Sequence, residues 1–405
     1  MTTFGNLVDD VLLLMQGYGL NADGAAFLSA AMPASALAAP VVNAPTTATT
    51  GGSLAANTYY YVVTALTGGG GETTISNRVS QATTGTTSTV TLTWGAVTGA
   101  TGYKVYRATT SGSEALLATL GAVTSYTDTG SATSAPVPPG SNTTAVKATV
   151  DSTDNLGAGL AEIGDELVWI KSVDDATKTV TIAPDGRGYR GTVAAAHGAD
   201  TRITMNPLVP RSLVKRKINE TIVGVYPTLW GTASTALTYD PVVMSYEVPA
   251  DVEDILQVTY REIGPSEMWP PVRRWRLDKH PDTVEFATGK SLSLMDSLWG
   301  VTDIRVVYQK QPSELSADAD LLTASGLAVS ARSVITTGAA WRLVSFIDAT
   351  RLRVHTAVSD YADQATPMGA GTQVASSLRR QYERELADEQ QRQAVRTVPV
   401  IHYVD

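Results

Sequence analysis

The chain has 405 residues, a hydrophobic content of 43% and a formal net charge of −9 at pH 7. This length suffices for two or three hydrophobic cores, and the acidic balance argues against a dedicated nucleic-acid-binding protein, which needs a basic surface. Because the chain contains no cysteine, disulfides, thiolate metal ligands and cysteine nucleophiles are excluded.

The N-terminal region carries no targeting or membrane signal. Residues 1–10 lack the basic region of a secretory signal, and no stretch of about 18 residues is apolar enough to span a bilayer. The alanine-rich stretch near residues 25–45 is interrupted by Pro33, Pro40 and Pro45. We therefore expect a soluble protein that is made and used in a cytoplasm.

The first predicted element is a helix over Phe4–Gln16. Its apolar residues recur at helical spacing, and Gly17 ends it. These apolar residues are Phe4, Leu7, Val8, Val11, Leu12 and Met15. With a short apolar segment at 25–31, this helix opens a domain that we place at residues 1–32 and 142–208, split by an insertion.

The insertion, residues 36–140, carries only six charged side chains, although the protein has 30 basic and 39 acidic residues. Runs such as Thr58–Leu66 (TYYYVVTAL), Val90–Trp94 and Tyr103–Arg107 are rich in aromatic and β-branched residues, and turn signals recur about every ten residues. This pattern predicts an inserted β-sandwich of about seven strands. The six charged residues are Glu72, Arg78, Lys104, Arg107, Glu114 and Asp128.

The insert resembles a fibronectin type III or immunoglobulin-like module. The resemblance is carried by VTLTW, GATGYKVYR and SYTDTG, preceded by TYYYVVTAL and GETTISNRVS. In this family a strand like YYYVV comes late in the chain, whereas here it comes first, so the strand order is permuted. A resemblance of this kind implies a fold and says little about function.

The chain after the insert predicts a small β-domain. Residues 144–150 form a strand that pairs with residues 25–31 across the insertion point. Asp165–Val173 and Thr177–Ala183 alternate around a turn and predict a hairpin, and Thr201–Met205 closes the domain.

Four further regions complete the predicted organisation. Residues 209–241 hold a helix over Pro210–Leu229 and a connection, and residues 242–329 form a β-rich, sandwich-like domain that includes a strand at Thr283–Ala287 (TVEFA). Residues 330–395 form a helical pair, predicted over Ser330–Tyr361 and Gln373–Ala394. Residues 396–405 form an extended, β-prone C-terminal arm.

No catalytic, cofactor or metal site is predicted. The four histidines lie far apart in the sequence, without the spacing of a zinc site. The sequence DSTDN at 151–155 is compatible with a calcium ion but lacks the spacing of an EF-hand, so we favour a turn. No carboxylate pair is singled out for acid–base work. We therefore predict a protein that is not an enzyme.

Two basic clusters have alternative interpretations. One is Lys215, Arg216 and Lys217 on the polar face of a helix, and the other is Arg273, Arg274 and Arg276 on a strand. Both are candidate DNA-facing residues, but solvated faces or ion pairs between subunits fit the acidic total better.

The chain outside the insert resembles the head-to-tail adaptor (connector) proteins of tailed bacteriophages. The resemblance is carried by the order of FGNLVDDVLLLMQGYGLN, AEIGDELVWIKSVDDATKTVTIAPDGRGYRGTVAAAHGADTRI, PRSLVKRKINETIVGVYPTLW and GAAWRLVSFID. It implies an α+β multidomain fold with a helical adaptor core, β-modules and the inserted sandwich. It also implies a virion protein that forms a ring, usually of twelve copies, beneath the portal, extends the DNA channel and receives the stopper or tail.

Within this resemblance the C-terminal arm is expected to bind a neighbouring portal or adaptor subunit by strand addition. The arm residues are Thr397, Val398, Val400, Ile401, Tyr403 and Val404. We expect the insert to project outward, where it contacts the major capsid protein. The alternative function is a tail, baseplate or decoration protein whose insert binds carbohydrate on a host surface, and an enzyme with a carbohydrate-binding module ranks third.

Overall fold

The chain folds into two compact units in a computed structural model. One, the terminal unit, combines Met1–Leu20 with Leu213–Asp405, and the other, the middle unit, is Asn21–Ser212. The N-terminal helix thus belongs with the C-terminal half of the chain and not with the small β-domain, to which the sequence assigned it. The structure describes residues 2–17, 26–262, 269–296, 298, 301–355 and 370–396.

The described part of the chain is mostly β, with 33% strand and 21% helix. The prediction of a helical adaptor core is therefore wrong, because antiparallel sheets supply most of the packed layers. No helix among the described residues is long and apolar enough to cross a bilayer. The helices of the described residues are α1 (Phe4–Gly17), α2 (Arg211–Gly224), α3 (Arg332–His355) and α4 (Ala370–Arg396).

The middle unit contains a small β-domain and the insert. The six-stranded sheet of the small β-domain has the order β1-β13-β10-β11-β12-β9 and is antiparallel throughout. Its strands are β1 (Ala26–Phe27), β9 (Lys147–Thr149), β10 (Gly159–Ile163), β11 (Glu166–Asp174), β12 (Thr179–Ile182) and β13 (Arg202–Met205). The predicted hairpin is confirmed as β11 and β12.

The chain crosses between the small β-domain and the insert at paired backbone segments. Leu28 forms an antiparallel bridge to Val150, as predicted for the two sides of the insertion, and Met32 pairs with His197. The segment that enters the insert and the one that leaves it are thus hydrogen-bonded to the same domain.

The insert consists of two antiparallel sheets, ordered β2-β5-β8 and β4-β3-β6-β7. Their inner faces share one core, to which Val90 and Leu92 contribute from one sheet and Tyr61, Val63 and Val105 from the other. The strands are β2 (Thr46–Ala48), β3 (Thr58–Leu66), β4 (Val79–Ala82), β5 (Thr89–Thr93), β6 (Gly102–Ala108), β7 (Ala115–Leu120) and β8 (Ser125–Asp128). The predicted strand Thr58–Leu66 is confirmed, whereas the relation to fibronectin type III or immunoglobulin-like modules stays a prediction.

The terminal unit places two three-stranded sheets around a second core. The sheets have the orders β14-β19-β16 and β15-β18-β17, and residues such as Val258, Trp275, Leu292 and Ile304 fill the space that they share. The strands are β14 (Gly231–Thr238), β15 (Ser245–Glu247), β16 (Asp254–Glu262), β17 (Trp275–Asp278), β18 (Ser291–Leu294) and β19 (Val301–Lys310).

The helices α2, α3 and α4 meet closely at Gly338. A Cβ atom there would lie 2.6 Å from a side-chain atom of Thr221 on α2 and 2.8 Å from the ring of Tyr382 on α4. Arg342 reinforces the contact, since its guanidinium donates to the Thr221 hydroxyl at 2.9 Å and lies over the Tyr382 ring. The close approach therefore requires a residue without a side chain.

Three predicted elements differ in the structure. Residues 283–287 form turns rather than a strand, because the Asp282 carboxylate accepts the backbone N–H of Val284 and fixes a local turn. Helix α2 ends at Gly224, before Pro227, which cannot continue a helical hydrogen-bond pattern. Strand β14 lies within the region predicted to be a connection.

The core of the insert can be tested at Leu92, which is fully buried between the two sheets. Leu92→Ala should lower the free energy of unfolding of the insert by about 2–5 kcal/mol, because it removes buried methyl groups and leaves a cavity. Hydrogen exchange of strand amides in the full chain measures this change. The control Thr93→Ala alters an exposed neighbour and should change it by less than about 0.5 kcal/mol; equal effects would contradict the assignment of the core.

Candidate functional site

A buried cluster of ionisable groups lies in the small β-domain around Glu166, at the start of β11. Glu166 is 1% exposed. Arg187 donates to both of its oxygens, from Nε to Oε1 at 2.7 Å and from Nη2 to Oε2 at 2.9 Å. The backbone N–H groups of Gly188 and Ala195 and the Nε2 atom of His197 complete the shell at 2.8, 3.1 and 2.8 Å. Because an ionised carboxylate only accepts hydrogen bonds, Nε2 of His197 carries the proton.

The pKa of Glu166 reflects this shell. Burial by itself raises the pKa, but the hydrogen bonds from His197, Arg187 and the backbone N–H groups of Ala195 and Gly188 outweigh burial and lower it to about 2. The carboxylate is therefore ionised at neutral pH. With five hydrogen bonds accepted, it has no free lone pair directed at a substrate, which indicates a structural role.

Arg187 extends the same cluster to both sides of the insertion. Its Nη1 atom donates to the carbonyl oxygens of Pro33 at 3.0 Å and Ala145 at 2.7 Å, and its Nη2 atom donates to Ala195 at 2.7 Å. All five N–H donors of the guanidinium are thus used. Since Pro33 precedes the insert and Ala145 follows it, one side chain ties the entering and leaving segments to the small β-domain.

Glu162, on the neighbouring strand β10, has the opposite character. Its side chain is buried, with 6% of the residue exposed, and its Oε1 atom accepts the backbone N–H of Arg211 at 2.6 Å, at the start of α2. Burial raises the pKa of Glu162 to about 7, although this hydrogen bond and the charge of Arg211 act in the other direction. A helix start favours a carboxylate because its N–H groups lack partners within the helix.

The six charged side chains of the insert form three ion pairs within the insert. Lys104 Nζ lies 2.7 Å from Glu72 Oε2. Arg78 Nε lies 2.5 Å from Glu114 Oε1, and Arg107 Nη1 lies 2.7 Å from Asp128 Oδ2. Each charge in residues 36–140 therefore has a partner in the same module, and the surface of the insert presents hydroxyl, amide and small apolar groups.

The pair of Arg107 and Asp128 joins the two sheets of the insert. Asp128 is fully buried on β8, while Arg107 is on β6 of the other sheet. The hydroxyl of Tyr61 on β3 also donates to Asp128, at 2.9 Å. Burial and the neighbouring carboxylate raise the pKa of Tyr61, so its hydroxyl stays protonated and continues to donate.

A second tyrosine serves the Glu72 pair. The hydroxyl of Tyr106 donates to Glu72 Oε1 at 2.6 Å, and burial followed by this carboxylate raises the pKa of Tyr106. The backbone of Glu72 is in turn bonded to the leaving segment, because its N–H donates to the Thr143 hydroxyl at 3.0 Å and its carbonyl accepts the Thr143 N–H at 2.9 Å. Glu72 thus contributes its side chain to an ion pair of the insert and its backbone to the contact with the segment that leaves the insert.

Two side chains of the predicted basic cluster on α2 form ion pairs with neighbouring carboxylates. Lys215 Nζ lies 2.5 Å from Asp318 Oδ1 and 5.5 Å from the centre of the Phe4 ring. Lys217 Nζ lies 2.7 Å from Glu220 Oε2. Arg216 is exposed. Two of the three candidate DNA-facing residues therefore stabilise the terminal unit itself.

The second basic cluster, Arg273, Arg274 and Arg276, lies at the start of β17. The backbone N–H groups of Arg273 and Arg274 donate to Asp296 Oδ2 at 3.0 and 2.9 Å, which fixes the chain before the strand. All three residues are exposed. Contact of these exposed arginines with a polyanion or with another subunit stays a prediction. The arm residues, 397–405, lie outside the described residues.

Within the ranges that the structure describes, no group of three or more acidic or histidine side chains is placed to hold a metal ion. The sequence DSTDN at 151–155 is organised around its own backbone: Asp151 Oδ1 accepts the N–H groups of Phe27 at 2.8 Å and Ser152 at 2.7 Å. Sequence reasoning singled out neither Glu166 and its partners nor Glu162. The available signal is the pair of glutamates that flanks the Gly164 turn, but the sequence gives no indication that both are buried or which groups they contact.

No protein-family model matches the chain, and no curated protein matches it. The resemblance to phage adaptors therefore stays a prediction from the sequence.

Replacing Glu162 tests its raised pKa. Since the folded pKa of about 7 exceeds the ordinary glutamate value of 4.5, the folded state binds the proton more tightly, and the free energy of unfolding should fall as pH rises from about 4.5 to about 7. Glu162→Gln keeps the acceptor for Arg211 but removes the charge. It should stabilise the protein above pH 7 by up to about 3 kcal/mol, measured by urea unfolding at several pH values. An unchanged pH slope would contradict this account.

Replacing Glu166 should give the opposite result. Its folded pKa of about 2 lies below the ordinary glutamate value of 4.5, so its contribution to stability is fully present above about pH 4.5 and is lost as pH falls toward about 2. Glu166→Gln should cost about 3 kcal/mol at pH 7, because Arg187 loses its buried counter-charge. The same urea titrations measure it, with Glu162→Gln as the matched control on the adjacent strand. A stabilising effect at pH 7 would refute the structural role.

Proposed function

We propose that this chain is a non-catalytic structural protein of a tailed-bacteriophage virion. In this proposal it forms the head-to-tail adaptor ring beneath the portal, extends the DNA channel and provides the docking surface for the stopper or tail. The ring holds twelve copies, and its partners are the portal protein and the stopper and tail-terminator proteins. The protein assembles in the host cytoplasm and resides in the virion neck.

The observation that carries the proposal is the use of its buried carboxylates. Glu166 binds Arg187, which holds both sides of the insertion, and Asp128 joins the sheets of the insert. In each case the hydrogen bonds are directed at the chain itself. This favours a structural protein, whose buried ionic groups maintain its fold, and argues against an enzyme that acts on a substrate.

Exposed apolar side chains of the terminal unit support self-association. Val242 is 86% exposed, Met244 73% and Val284 92%. Single exposed apolar residues are common, but neighbouring ones such as Val242 and Met244 favour contact with another protein surface. A ring requires such contacts to be heterologous, so that rotation closes them.

The charge balance fits a channel through which DNA passes. A net charge of −9 repels a polyanion and disfavours tight binding. The exposed arginines at 273, 274 and 276 would then make only transient, non-specific phosphate contacts. Because the charges of the insert are paired internally, we propose that the insert faces outward and contacts the major capsid protein through neutral groups.

A second candidate function is a tail, baseplate or decoration protein whose insert binds carbohydrate. One observation favours it: the described residues are mostly β, with 33% strand. The neutral, hydroxyl-rich surface of the insert is also compatible with an uncharged glycan.

Electron microscopy of the purified full-length protein separates the two candidates. The adaptor proposal expects closed rings with an axial channel, at a concentration of about 10 µM or below if the affinity is that of a stable interface. Substituting Met244→Glu and Val242→Glu should reduce the fraction of rings at least tenfold if the exposed apolar side chains lie in the contact, whereas Thr93→Glu on the insert serves as a control. Monomers at every concentration, with binding on a glycan array, would favour the second candidate.

A further inference from the structure

Strand β14 (Gly231–Thr238) is an unprotected sheet edge. It pairs with β19 from Gly231 opposite Lys310 to Thr238 opposite Asp303 with no register shift, and within the described ranges no strand pairs with its other side. Long, flat edges without charge or proline are templates for a further strand, and proteins normally block them. The sequence of β14, GTASTALT, contains neither.

The directions of the backbone groups identify which residues are open. The N–H of Thr232 points away from β19, because it donates to the carbonyl of Gly326 at 3.2 Å, whereas the N–H of Tyr239 donates to Thr302 of the β19 side at 3.0 Å. Since the direction alternates with a period of two, the N–H and C=O groups of Ser234, Ala236 and Thr238 point to the open edge.

The opposite edge of the same sheet shows the usual protection. On the outer side of β16, Val258 accepts the N–H of Val272 at 2.9 Å, and the N–H of Tyr260 donates to Pro270 at 3.0 Å. The pairing of β16 with β19 is also interrupted by two register shifts. Bulges and a covering segment are devices that block edge pairing, so their absence at β14 is specific to that edge.

The C-terminal end of α4 lies beside this edge. Gln393, in its last turn, donates from Nε2 to the Trp230 carbonyl at 2.6 Å and accepts the Trp230 N–H at 3.3 Å. Helix α4 ends at Arg396, and the β-prone sequence TVPVIHYVD follows it in the chain.

The geometry decides between the chain's own segment and that of another copy. A segment that leaves Arg396 and follows its own β14 would run parallel to it, whereas every strand pair in the described part of the chain is antiparallel. Parallel pairing is less stable per residue and occurs in sheets covered on both faces, but one face of β14 is exposed. An antiparallel run within one chain would first have to pass Thr238, about 23 Å along the strand from Gly231 at 3.3 Å per residue, before it could turn back to pair.

We propose that the open edge of β14 is the docking site for residues 400–404 of a second copy of this chain, added as an antiparallel strand. With His402 opposite Ala236, Ile401 and Tyr403 lie on the face of Ala233 and Leu237, which pack against the core. The contact is heterologous and can therefore propagate around a ring. The proposal identifies β14 as the strand to which the C-terminal arm binds, and it rests on the self-association in the proposed function.

Disulfide trapping tests the pairing directly, because the chain has no cysteine of its own. Full-length Ala236→Cys and His402→Cys variants with different affinity tags are mixed and mildly oxidised. Directly opposed residues of a hydrogen-bonded antiparallel pair have Cα atoms about 5.5 Å apart, which suits a disulfide. We expect a mixed disulfide dimer that carries both tags. Val284→Cys, exposed elsewhere on the terminal unit, replaces Ala236→Cys in the control and should give at least tenfold less.

Edge blocking supplies an independent readout. Ala236→Pro removes the open N–H and should weaken self-association at least tenfold in analytical ultracentrifugation, whereas Ala236→Ser keeps the backbone donor and should not. Deletion of 397–405 should match Ala236→Pro, and circular dichroism checks that each variant folds. Absence of the mixed disulfide, or a doubly substituted chain that closes only within itself, would overturn the inference.

The same samples separate this inference from the proposed function. Rings in electron micrographs without the mixed disulfide would leave the adaptor proposal standing and remove the β14 contact. The mixed disulfide in open filaments or dimers, without closed rings, would support the β14 contact and count against the adaptor proposal.

Discussion

The guanidinium of Arg187 lies where the segment entering the insert, the segment leaving it and the small β-domain meet. It is held by the buried carboxylate of Glu166 and donates to the carbonyls of Pro33 and Ala145. A planar group with five fixed donors can satisfy several carbonyl and carboxylate oxygens at once, which a lysine cannot do. The arrangement of the middle unit depends on this group, because it holds the base of a module of about a hundred residues at a fixed place.

The insert shows how a small number of charges can be accommodated in a module that is otherwise neutral. Burying a carboxylate without a partner is costly, and a buried pair is tolerated only when the remaining hydrogen-bonding positions are filled. The pairs of Asp128 with Arg107 and Glu114 with Arg78 meet that condition through added bonds from Tyr61, Gly130 and Gly112. The pair of Asp128 with Arg107 fixes the relative position of the two sheets more than it adds stability. The outer surface is left without unpaired charge, so its contacts should depend little on salt.

The terminal unit has a tightly packed helix contact at Gly338 and a sheet edge, β14, with backbone groups that are unpaired within the described ranges. At Gly338, helices α2, α3 and α4 pack too closely for any side chain, and Arg342 fills the remaining space with a hydrogen bond and ring contacts. On the sheet, the outer side of β16 is covered by its own chain, whereas the outer side of β14 is bonded to Gly326 at Thr232 and pairs with no strand among the described residues. A protein that assembles with copies of itself has reason to leave one such edge open, since strand addition gives a directional contact from backbone groups alone.

The sequence by itself determined the local elements with strong periodicity and the limits of the charge-poor insert. The alternation in Thr58–Leu66 and the turn between Asp165–Val173 and Thr177–Ala183 depend on neighbouring residues, and these strands are found. Charge depletion is a property of composition and needs no contacts to be seen. Prediction from local pattern was wrong at residues 283–287, where the Asp282 side chain accepts a backbone N–H and forms a turn. It also missed β14, a strand made mostly of small and polar residues.

Tertiary structure alone decided how the pieces are combined. The grouping of α1 with the C-terminal half, the predominance of sheets over the expected helical core, and the opposite pKa shifts of Glu162 and Glu166 all follow from contacts between residues distant in the chain. Four positions separate these two glutamates, yet one lies in a shell of five hydrogen bonds and the other has a single backbone donor. Their environments are set by Arg187, His197 and Arg211, which folding brings to them, and no local pattern encodes that arrangement.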